Sequence, residues 1–64
     1  MWNREKKYQV IELLKELREA RLYEVTSGYT DEEVTNLSKD DIYDLDDGEQ
    51  MIQSIDTLLA ALGE

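Results

Sequence analysis

The sequence predicts an all-α protein, a small three- to four-helix bundle forming one domain over residues 1–64, with a long N-terminal helix and an apolar-faced C-terminal helix. Three observations carry this expectation. Apolar residues recur every three or four positions at both ends of the chain, the spacing of an amphipathic helix. Helix-start residues stand at Asn3, Thr30 and Ser38. Proline is absent, and Val25, Thr26 and Tyr29, the β-favouring cluster, are too few to pair into a sheet.

The first element is predicted from about Arg4 to Glu24. Asn3 is a good N-cap type, and Gly28 closes the region. At about 100° per residue, Val10, Leu13, Leu14, Leu17 and Ala20 fall on one stripe, which is the expected buried face. Arg4, Lys7, Lys15, Arg18 and Arg21 lie along one flank, and Glu5, Glu12, Glu16 and Glu19 collect on another side. Such sorting would let the basic flank lie against acids of the same chain or of a second copy; the plainer reading is an ordinary solvated surface.

Residues 23–29 read as a loop whose tyrosines help to close the core. Thr30 with Glu33 has the spacing of a capping box, and Ser38 with Asp41 is a weaker start of the same kind. One helix could run from Asp31 to Leu45, but a serine in mid-helix competes for backbone hydrogen bonds, which favours two short helices. Asp46-Asp47-Gly48 is the next break, with Asp47 and Gln50 as the expected cap of the last helix. That helix, about Glu49 to Leu62, carries Met51, Ile52, Ile55, Leu58, Leu59 and Leu62 on one stripe, and Gly63 follows as a C-terminal glycine cap.

A single core of this size rarely supplies more than about 3–5 kcal/mol. With no cysteine, disulfides and thiolate metal sites are excluded; with no histidine, the commonest metal ligand and general base are missing too. Self-association is therefore expected to contribute, and a homodimer is the simplest form. No stretch approaches the roughly 20 apolar residues of a membrane-spanning helix. The start, Met1 to Lys7, lacks the apolar run of a signal peptide, so no membrane partner and a cytoplasmic location are expected.

The net charge is −9, unevenly placed. Residues 1–21 hold six of the seven basic side chains against four acids, whereas residues 22–64 hold Lys39 alone against twelve. This opposes direct nucleic-acid binding, where lysine and arginine supply most of the affinity. It also opposes a helix-turn-helix reading of residues 31–47, whose acids would repel phosphates.

The motifs that suggest chemistry dissolve on inspection. Asp44-Leu45-Asp46-Asp47-Gly48-Glu49 looks like a calcium loop, but with Gly48 at position 6 the ligand positions 1, 3 and 12 fall on Tyr43, Leu45 and Ser54. Carboxylates before a helix already interact favourably with its dipole. The serines have no histidine to activate them, and a catalytic carboxylate pair needs a shaped pocket that so short a chain hardly supplies. Neither catalysis nor a cofactor is expected. Trp2, Tyr8, Tyr23 and Tyr29 read as core aromatics, while Tyr43 is expected to point outward among carboxylates.

The sequence thus predicts a non-catalytic binding protein. Its expected partner-binding residues are Asp31, Glu32, Glu33, Asp40, Asp41, Tyr43, Asp44, Asp46, Asp47 and Glu49, facing a protein with a basic, nucleic-acid-handling surface and imitating phosphates. The plain alternative for each residue is an acid that keeps the chain soluble. A different class of function, assembly through the apolar helix faces, is the second expectation.

Overall fold

A computed structural model describes residues 3–64. Four helices follow one another: α1 (Arg4–Val25), α2 (Asp31–Asn36), α3 (Lys39–Leu45) and α4 (Met51–Ala61). Among the described residues there is no strand. Trp2, expected in the core, lies outside the described residues.

Each helix starts for a local reason. The Lys6 N–H donates to Asn3 Oδ1 at 2.8 Å, capping α1. Thr30 and Glu33 complete a reciprocal capping box at α2, and Ser38 with Asp41 completes another at α3. These two boxes split residues 31–45, because each hydroxyl satisfies a backbone donor that a continuous helix would not leave free. The start of α4 departs from expectation. Its N-cap, Gln50, is left-handed at φ 53° and contributes no side-chain cap; neither does Asp47. The Asp46 carboxylate reaches past both to accept the Ile52 N–H at 2.7 Å. At the other end, Gly63 is left-handed (φ 85°), with Gly63 N–H donating to Ala60 O at 3.1 Å and Glu64 N–H to Leu59 O at 3.0 Å. That pair of bonds is a Schellman cap, and glycine adopts its geometry without steric cost.

The main packing contact is α1 against α4, with α3 leaning on α4 and α2 held only lightly. The pair is antiparallel: Arg21 meets Asp46 just before α4, Arg18 meets Asp56, and Lys15 meets Glu64. Ile11, Ile52 and Ile55 form the buried core, at 6%, 0% and 5% exposure. Burying a side chain of this type contributes about 1.5–3 kcal/mol each.

Two expectations about the core are corrected. The buried face of α1 shares only Val10 and Leu14, both half-buried, with the expected Val10–Ala20 stripe. Ile11 is buried and Leu14, Arg18, Leu22 and Val25 are half-buried, whereas Leu13, Leu17 and Ala20 are exposed. The helix is rotated by roughly 100° from the expected orientation, about one residue step. It turns because that rotation brings its basic residues to the acids on and around α4. The tyrosines do not close the core either: Tyr8, Tyr23 and Tyr29 are exposed, and the interior is aliphatic. On α4, Ile52, Ile55, Leu59 and Leu62 turn inward, but Met51 and Leu58 of the predicted stripe remain on the surface.

Candidate functional site

Three basic residues of α1, Lys15, Arg18 and Arg21, pair with acids of the same chain. Arg18 grips Asp56 through two bonds, Nε to Oδ1 at 2.6 Å and Nη2 to Oδ2 at 3.3 Å. Tyr43 donates its hydroxyl to the same carboxylate at 2.7 Å, which ties α3 to α1 and α4. Arg21 donates Nε–H to Asp46 Oδ1 at 2.7 Å and also approaches Glu24 and Glu49. Lys15 pairs with Glu64. The C-terminal part of the sorted basic flank, Lys15, Arg18 and Arg21, is thus answered by acids of its own chain.

These contacts set the titration of the two inner carboxyls. Burial pushes Asp46 up, but the Ile52 N–H and the Arg21 guanidinium outweigh it and hold the group below its ordinary range. Burial likewise raises Asp56, and the bonds from Arg18 and Tyr43 reverse the shift. The Tyr43 hydroxyl is raised by its bond to Asp56, because ionising it would remove the donated proton. All buried polar side-chain atoms among the described residues have a partner.

The ten expected partner-binding residues therefore divide. Asp46 is 1% exposed and belongs to the interior, so it forms no part of an outer surface. Tyr43 is half-buried and turned towards Asp56, not outward among the acids. Both follow from the same cause: an arginine on α1 draws an acid inward, and the neighbouring hydroxyl follows. Glu33 and Asp41 are exposed, yet each accepts the N-cap backbone N–H of its own helix. Glu49 is exposed with one oxygen 3.9 Å from Arg21. Asp31, Glu32, Asp40, Asp44 and Asp47 are exposed and, among the described residues, make no ion pair. Asp40 and Asp44 stand one helical turn apart on α3. Sequence reasoning missed Asp56. Its only signal was a lone acid beside the apolar stripe of the last helix.

No family model matches the chain, and neither a curated protein nor a solved structure does.

Besides Tyr8, Tyr23 and Tyr29, aliphatic side chains of α1 and α4 are exposed. Leu13 and Leu17 are 59% and 53% exposed on the outer side of α1, and Leu58 is 52% exposed on α4. The groove lined by Lys15, Arg18, Lys39, Asp56 and Ala60 marks the side of the α1–α4 pair that α3 covers. By helical period, Val10, Leu13 and Leu17 on α1 and Met51 and Leu58 on α4 open on the opposite side. Among the described residues, no group of three or more acids is placed to hold a metal ion, and no helix is long and apolar enough to cross a membrane.

Proposed function

We propose that the chain is a non-catalytic binding protein that modulates or inhibits a partner protein by docking the acidic surface of α2 and α3 on a basic, nucleic-acid-handling face. One observation carries the reading. Arg18 and Arg21 are engaged by Asp56 and Asp46, while Asp31 and Glu32 on α2, Asp40 and Asp44 on α3 and Asp47 just after it stay exposed, with Lys39 the one cation of residues 31–47. Carboxylates on short, doubly capped helices are held in place, as a phosphate imitation requires. Their field accelerates encounter with a positive surface and weakens with salt.

The test is a triple reversal, Asp40→Lys, Asp44→Lys and Asp47→Lys, which spares the capping Asp41 and the buried Asp46. The unaltered chain should retain a basic protein at low salt and release it at high salt, and the variant should retain none. A variant that keeps the same partner at the same salt sinks the reading. A second reading, association through apolar helix faces, is favoured by the exposure of Leu13, Leu17 and Leu58.

A further inference from the structure

We infer that α1 pairs with α1 of a second copy, antiparallel and centred on residue 15, along a seam of Lys6, Val10, Leu13, Leu17, Ala20 and Glu24. The inference rests on the association reading and specifies its partner and register.

The seam is what the rotation of α1 leaves outside. Val10 is half-buried and the other five residues are exposed. Their spacing alternates four and three, the period at which one helix meets another along a continuous line. The line is about 27 Å long at 1.5 Å per residue. Its order reads the same from either end in chemical complement: a cation, small or branched apolar residues, two leucines at the middle, and an anion.

Laid against a reversed copy, Lys6 meets Glu24, Val10 meets Ala20, and Leu13 meets Leu17, each contact occurring twice by symmetry. A parallel arrangement would set Lys6 against Lys6 and Glu24 against Glu24. Charge thus selects the antiparallel form, and the four central leucines supply the apolar contact. Glu24 uses only one oxygen, Oε2, towards Arg21 and is 71% exposed, so it remains open to a second cation. Glu16 adds a local cost to the repulsion between two chains of charge −9. It lies beside the seam near the centre and approaches Glu16 of the second copy.

Sedimentation equilibrium of the full chain over a range of concentrations and salt decides the matter. The expected result is a dimer that tightens with salt, because two copies of charge −9 repel each other and salt screens that repulsion. Leu13→Glu or Leu17→Glu should give a monomer with unchanged helical circular dichroism, since neither residue is in the core. Lys6→Glu and Glu24→Lys should each weaken the dimer roughly tenfold, and the two together should restore it. Glu16→Gln should tighten it. A monomer at every concentration overturns the association reading itself. A dimer that survives Leu13→Glu, one lost only on Leu58→Glu, or a charge swap that fails to restore binding leaves association standing and overturns this seam.

Discussion

Asp46 ties α1 to the start of α4. Its carboxylate accepts the Arg21 Nε–H and the Ile52 N–H in the first turn of α4, so it serves as ion-pair partner and helix cap at once. Asp46→Ala removes both roles and leaves Arg21 facing an apolar gap. The expected loss is about 2–4 kcal/mol, most of what so small a domain has, read as a collapse of the thermal transition. Asp46→Asn keeps an oxygen for the Ile52 N–H and should cost clearly less; equal losses would assign the whole effect to the ion pair. The depressed Asp46 and Asp56 carboxyls also fix the sign of the acid response. Their folded-state values lie below the unfolded value of about 3.9. Their stabilisation is therefore complete above pH about 4 and is lost as pH falls through the folded values. Helicity followed by circular dichroism should hold from neutral pH to about 4 and fall below it; unchanged stability at lower pH would contradict the pairing.

At the scale of elements, the helices were legible in the sequence because their causes are local. The caps at Asn3, Thr30, Ser38 and Gly63 lie within a few residues of the helices they start or stop, and all four act where spacing places them. The rotation of α1 was not legible. The helix carries two overlapping apolar lines, Ile11–Leu14–Leu22–Val25 and the predicted Val10–Leu13–Leu14–Leu17–Ala20, and periodicity alone cannot choose between them. Acids distant in sequence choose, by answering Lys15, Arg18 and Arg21. The same distance hid the inward turn of Asp46 and Tyr43 from the candidate surface, whereas Asp31, Glu32, Asp40, Asp44 and Asp47 lie outside as expected. The turn before α4 was misread because Asp46, not Asp47 or Gln50, caps the helix, and one residue of the turn is left-handed. That residue is Gln50. Gln50→Gly should therefore stabilise the chain by about 0.5–1 kcal/mol, measured by urea denaturation, because the left-handed conformation disfavours a side chain.

The whole molecule measures 40 × 19 × 17 Å, with a radius of gyration of 13.1 Å against roughly 11 Å for a compact chain of this length. It is long because α1 is twice the length of its partner α4. Three of the long-range ion pairs among the described residues are nested hydrogen-bonded rungs: Arg21–Asp46 spans 25 residues, Arg18–Asp56 spans 38 and Lys15–Glu64 spans 49. Chain closure is easiest for the shortest loop, and once it forms, each outer pair needs only a small further closure. The ladder consequently bears on the order of events in time. If the Arg21–Asp46 rung closes first, stopped-flow kinetics should show Asp46→Asn slowing folding while Asp56→Asn mainly speeds unfolding.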